Sequence, residues 1–173
     1  MNPVHQDVAI RPALAKDITA IRNVAGLAWS AAYGRIIPHD IQGQAIASWY
    51  SQEALLTAVE ARESLFLLAE RGEILLGFIS LYQRSPVVVH LARIYLLPKE
   101  QRKGLGARLL RAALELMPDS VETATVEVEE RNYAARAFYE RCGFRVTGAT
   151  TADLFGFHLP LIRYQKTLGR GAA

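Results

Sequence analysis

The stretch from Val87 to Leu116 changes its hydrophobic period partway along, and this change limits the chain's folding choices more than any other feature. Val87 to Leu97 reads as one long strand, and Pro98 stops it because proline cannot donate to a ladder. From Gly104 the period is helical: Leu105, Leu109, Ala112, Ala113 and Leu116 share a face, while Arg108, Arg111 and Glu115 point elsewhere. A strand therefore feeds a helix through the short basic loop Gln101-Arg102-Lys103-Gly104-Leu105-Gly106. The first N–H groups of a helix lack intrahelical partners, and together with the helix dipole they suit a pyrophosphate. Gly104 and Gly106 let the backbone approach an anion without a Cβ in the way. Arg102, Lys103 and Arg108 add positive charge. The plainer reading is that two glycines only start a helix.

Other nucleotide motifs fit this loop worse. A dinucleotide fingerprint needs a third glycine or alanine where the chain has Leu109, and a P-loop needs Gly-Lys followed by Ser or Thr, which is absent.

The rest of the chain surrounds this junction with alternating elements. Val8 to Pro12 reads as a strand. Asp17 caps a helix to about Tyr33 whose apolar side is Ile18, Ile21, Val24, Ala25, Leu27 and Ala28, and Gly34 ends it. Helical pieces follow at about 38–49 and 52–62. Ser64 to Glu70 and Ile74 to Tyr82 read as strands about a turn at Gly72. After the helix that Pro118 closes, Glu122 to Glu129 alternates, with Ala124, Val126 and Val128 on one side and Thr123, Thr125, Glu127 and Glu129 on the other. Asn132 caps a helix to about Arg141, and strands start at Phe144 and about Phe157. The order predicts one mixed α/β domain over residues 1–173. Its sheet has about six to seven strands with at least one parallel pair, flanked by about four to five helices.

Composition removes several function classes. The one cysteine, Cys142, permits no intrachain disulfide, so a reducing compartment is expected; Cys142 itself reads as a small buried hydrophobe. The four histidines are far apart and lack metal-ligand spacing. Basic residues are interleaved with acids, and the net charge is only +3, so no nucleic-acid partner is expected. No apolar run is long enough for a membrane helix, and the N-terminus lacks a signal-peptide pattern, which makes the cytoplasm the expected location.

Two segments together carry a family resemblance. Gln101-Arg102-Lys103-Gly104-Leu105-Gly106 resembles the Q/R-x-x-G-x-G/A signature of the GNAT (Gcn5-related) N-acetyltransferases. The run from Asn132 to Phe144 resembles that family's N-x-x-A-x-x-F-Y-x-x-x-G-F segment. The resemblance covers nearly the whole chain. It implies acetyl-CoA as donor, coenzyme A as product and a primary amine as acceptor. It also implies a splayed fourth and fifth strand pair with the cofactor arm in the wedge. Backbone amides of Arg102, Lys103, Gly104, Leu105, Gly106 and Ala107 would hold the pyrophosphate. Ile94, Tyr95 and Leu96 would pair with the arm, the Leu96 amide would polarise the thioester carbonyl, and Asn132, Ala135 and Tyr139 would also meet the cofactor.

The reaction needs a base for the ammonium and a donor for the leaving thiolate. Glu127 is the expected base, on its match to the ribosomal-protein branch of the family, with His90 as runner-up. Tyr139 is the expected acid, against the plainer reading of a core aromatic. Trp29 and Tyr33 either wall the acceptor site or pack. Glu129 either binds a cationic substrate or faces solvent. The acids Glu127, Glu129, Glu130 and Asp153 favour a small amine or polyamine acceptor; a protein N-terminal or lysine amine is the alternative. A non-catalytic acyl-CoA sensor is the reading of a different class. The exposed edge of the last strands would suit a homodimer.

Overall fold

A computed structural model describes residues 7–169. The segment read above for a signal peptide begins with Met1–Gln6, which lie outside the described residues, as does His5. In chain order the strands are β1 (Ala9–Pro12), β2 (Ser64–Arg71), β3 (Ile74–Ser85), β4 (Val88–Leu96), β5 (Thr123–Glu129), β6 (Arg145–Leu154) and β7 (Phe157–Thr167). The α-helices are α1 (Ile18–Tyr33), α2 (His39–Trp49), α3 (Gln52–Glu60), α4 (Leu105–Glu115) and α5 (Tyr133–Arg141). The seven strands of the described residues form one sheet in the order β1-β2-β3-β4-β5-β7-β6. Every neighbouring pair is antiparallel except β4 and β5, which run parallel. That parallel step follows from the α4 crossover, since a helix must carry the chain back before a parallel strand can start.

Each face of the sheet buries its own core, so the sheet is a middle layer. On one face, Leu105, Leu109, Leu110 and Ala113 of α4 pack with Leu67, Ile79, Val89, Val126 and Tyr139. On the other, Ile21, Val24, Ala25 and Trp29 of α1 pack with Tyr50, Leu55, Phe66, Leu68 and Phe78. Leu27 departs from the expected apolar side of α1 and is 56% exposed. At about 100° per residue it lies roughly 120° round the helix from the centre of the buried stripe.

Asp17 stands at the start of α1, but its carboxylate does not cap that helix. It accepts from the Arg11 guanidinium at 2.7 and 3.0 Å and from the Leu14 N–H at 2.9 Å, while Arg11 also reaches Glu70 at 2.9 Å. An arginine with two carboxylate partners outcompetes the weaker dipole of exposed helix amides. Asn132 does cap α5: its Oδ1 accepts from the Ala135 N–H at 3.1 Å. No helix among the described residues is long and apolar enough to cross a membrane.

Candidate active site

The parallel pair β4/β5 is joined only where Val88, Val89 and His90 stand opposite Thr123, Ala124 and Thr125. Beyond His90 the two strands separate, while β5 stays paired to β7 as far as Glu129. The cause lies in β4. Its register against β3 jumps from Leu91 opposite Leu81 to Arg93 opposite Ser80, which leaves Ala92 as an extra residue. A bulge of this kind bends its strand and increases the local twist. The gap it opens is part of a cavity of about 770 Å³ between β4, β5, α1, the α4 loop and α5.

The β4 wall presents free backbone donors. The Leu97 N–H bonds to the Leu76 carbonyl on β3 at 2.8 Å. Backbone groups alternate sides along a strand, so the amides of Leu96 and Ile94 point to the opposite edge, toward the gap. Gly77 lets β4 lie this close to β3, because a Cβ there would collide with the Leu96 side chain and the Tyr95 carbonyl.

At the C-terminal end of β4, the loop turns into α4 with Arg102 at φ 60° and Gly104 at φ 82°. Two left-handed residues in so short a loop curl the backbone and gather N–H groups at the start of α4. Open space lies where a Gly104 Cβ would point. This arrangement fits a pyrophosphate: a concave run of amides, a helix start and the Arg102 charge beside it. Lys103 reaches back to the buried Glu100 at 3.5 Å and does not line the cavity, and Leu105 is buried in the core behind it. Arg108, in the first turn of α4, does not line the cavity; its guanidinium donates to the neutral Val8 carbonyl at 2.6 Å and keeps its charge.

The opposite wall comes from β5 and α5. Glu127 lines the cavity with its side chain 31% exposed and its Oε1 3.4 Å from the Arg163 guanidinium, its cross-strand neighbour. Asn132, Ala135 and Tyr139 line it as well. Tyr139 is 5% exposed, with its ring against Phe138, Phe144 and Tyr164. Burial pushes its phenol pKa up, so it stays protonated at neutral pH.

The remaining expected site residues fall into two groups. Tyr33 lines the cavity, set against Tyr95 and Asn132, and burial raises its phenol pKa. Trp29, Glu129 and His90 are buried and lie outside the cavity lining. Trp29 donates to the Tyr50 hydroxyl at 3.3 Å. Glu129 Oε2 accepts from the Arg131 N–H at 2.8 Å, in the turn that leads to Asn132. His90 sits 3.0 Å from Thr125 Oγ1, where the strands are still joined. Its pKa is pushed down to about 4, by burial first and then by the nearby charge of Arg84, against the pull of Glu127. Of the four acids expected near the acceptor, Glu127 alone lines the cavity; Glu130 is exposed, and Asp153 Oδ2 accepts from the Gly156 N–H at 3.2 Å in the β6–β7 turn.

Sequence reasoning missed Arg93 and Arg131, which also line the cavity. A signal for Arg93 is present. Val89 and Leu91 share a face, but so do Ile94 and Leu96, and this parity break marks the bulge beside it.

Fold and site together define an acyltransferase that draws its acyl group from a coenzyme A thioester. The chain belongs to the GNAT acetyltransferase family: residues 37–168 match the family model described as "Acetyltransferase (GNAT) domain". It is 28% identical over 151 residues to the spermidine N(1)-acetyltransferase of Thermoplasma acidophilum, covering 84% of this chain and 93% of that protein. A shorter match, 34% identical over 73 residues, joins it to the peptidyl-lysine N-acetyltransferase YjaB of Salmonella typhimurium, covering 42% of this chain and 48% of that one. Among solved structures, the PaiA N-acetyltransferase of T. acidophilum in complex with coenzyme A superposes with a TM-score of 0.80 at 26% identity, covering 93% of this chain and 99% of that one.

Proposed function

We propose that the protein moves an acetyl group from acetyl-CoA to a small primary amine by direct attack, with Glu127 as base and Tyr139 as hydrogen-bond donor to the departing sulfur. One observation carries this reading: the bulge-opened wedge has free β4 amides on one wall and faces them with Glu127 and Tyr139 on the other. A protein that only sensed acyl-CoA would need neither side chain.

The chain's own groups would divide the work as follows. The amides from Arg102 to Ala107 hold the pyrophosphate, and Ile94, Tyr95 and Leu96 offer the arm a strand edge, with Asn132 and Ala135 on its other side. Acetyl-CoA supplies a thioester, whose carbonyl accepts the amine and whose thiolate leaves. The Leu96 N–H, already aimed into the gap, polarises that carbonyl. Glu127, held beside Arg163, takes the ammonium proton, through water where the amine is out of direct reach. Tyr139 stays protonated through burial and shares its proton with the sulfur.

The spermidine acetyltransferase relative supports a small-amine acceptor and places spermidine on the test panel. The peptidyl-lysine relative supports the second reading, a protein amine, over a shorter stretch. Coenzyme A release across amines and lysine peptides separates the two. Release that requires an amine and collapses in Glu127→Gln is the expected result; acyl-CoA binding with no turnover on any acceptor would leave the sensor.

A further inference from the structure

Charge inside the cavity runs against a polycation. Among the described residues its lining carries four arginines, Arg93, Arg102, Arg131 and Arg141, and one carboxylate, Glu127, which is already 3.4 Å from Arg163. Two of the arginines belong to the cofactor end. Arg102 is in the loop itself, and Arg141 follows Phe138 by one turn, where Phe138 lies 3.2 Å from the Cβ position of Gly106. Arg131 is matched by the carboxylate of Glu129 at 3.5 Å and donates to the Ile36 carbonyl at 3.1 Å.

Arg93 is different. Its guanidinium donates to the Trp49 carbonyl at 3.3 Å and approaches Ser80 Oγ at 3.5 Å, and it lies 5.3 Å from the centre of the Tyr50 ring. These partners are neutral, and no carboxylate lies within 4.0 Å of it among the described residues. The side chain is half-buried, so water satisfies only part of it. It lines the cavity from β4 directly after the bulge that opens the wedge, on the side of the Ile94–Leu96 segment away from the Arg102–Ala107 loop. A guanidinium held by neutral oxygens on an aromatic face retains donors for a planar anion, and a carboxylate matches that fork best.

We infer that the acceptor is a primary amine that also carries a carboxylate, and that Arg93 holds this carboxylate while the amine faces Glu127. The inference rests on the acetyl-transfer reading above. It gives the cavity's uncompensated charge a role, and it makes Arg93 a specificity-determining residue that the reaction itself does not need.

The test is a panel of matched amines, each amino acid set against its own amide and its decarboxylated amine, with spermidine included. Coenzyme A release is followed for the parent, Arg93→Gln and Arg93→Lys. The parent should favour the carboxylate form over its amide by at least about tenfold in kcat/KM, mainly through KM. Arg93→Gln should bring that ratio close to one while leaving turnover of the amide within about threefold, and Arg93→Lys should restore part of it. Equal use of acid and amide by the parent, a preference for spermidine, or a preference that survives Arg93→Gln would overturn the inference. If no amine turns over, calorimetry of the same amino acids on the coenzyme A complex still decides it. Arg93-dependent binding would uphold the carboxylate site and sink only the transferase reading, whereas no binding would sink the carboxylate site.

Discussion

Placing a carboxylate at the loop is the sharpest perturbation of the cofactor site. In Gly104→Asp the new Cβ enters open space, so the substitution meets no steric block in the protein itself. The backbone there has φ 82°, which costs an L-residue about 1–2 kcal/mol, with aspartate among the more tolerant. For a chain of this size that cost corresponds to a fall in Tm of roughly 2–8 °C. The effect on an anion is larger. A carboxylate about 5 Å from one phosphate charge, at an effective dielectric constant of about 20, repels it by roughly 3 kcal/mol, or on the order of 200-fold in Kd. Gly104→Ala separates the two effects, since it shares the backbone strain and adds no charge. Isothermal calorimetry with coenzyme A at low salt should show a loss of at least about 100-fold for Asp and under about tenfold for Ala, with both variants still folded. An Asp variant that binds coenzyme A within about threefold of the parent would refute the pyrophosphate assignment.

Other expected outcomes concern chemistry and stability. Tyr139→Phe keeps the ring against Phe138, Phe144 and Tyr164, so it should lower kcat by about 10²-fold or more while coenzyme A affinity in calorimetry changes by under about threefold. Glu127→Gln should lower kcat/KM by a similar factor, and steady-state assays should show less of that loss at high pH, where the amine arrives deprotonated. His90 is held neutral by the fold, with its pKa down from 6.5 to about 4, so the unfolded chain takes up that proton first. Stability in urea should therefore fall as pH drops from about 6.5 toward 4, and His90→Gln should remove this segment of the pH dependence. Asp17 titrates low because of the Arg11 hydrogen bonds; its contribution is present above the ordinary carboxylate range, is lost as pH falls through its lowered pKa, and should vanish in Arg11→Met.

Local signals made much of the architecture legible. The Pro98 stop, the glycines of the loop, the Asn132 cap and the alternation of β5 each act within a few residues, and all of them stand in the fold. The crossover from β4 through α4 likewise required a parallel partner. Features decided by residues distant in sequence are harder to read. Asp17 is well placed in the sequence to cap α1, but it joins a cluster with Arg11 and Glu70, which are 59 residues apart from each other. Glu129 lies on an alternating strand with the pattern of a solvent-facing residue, but the turn at Arg131 folds over it and leaves it 2% exposed. Arg108 sits in sequence beside the basic loop, yet its partner is the Val8 carbonyl ahead of β1, 100 residues away. The bulge at Ala92 leaves a trace in the sequence, as the shift in parity between Leu91 and Ile94, but only the pairing with β3 shows that it opens the wedge.

The central claim is direct transfer from thioester to amine within the β4–β5 wedge. A single-turnover reaction with enzyme in excess over acetyl-CoA tests it when coenzyme A, N-acetylated amine and intact protein mass are all measured. Direct transfer predicts one amide formed for each coenzyme A released, no release without an amine, and a protein mass that never changes. Release of coenzyme A without amide, or a protein that gains an acetyl group before the amine does, would contradict it.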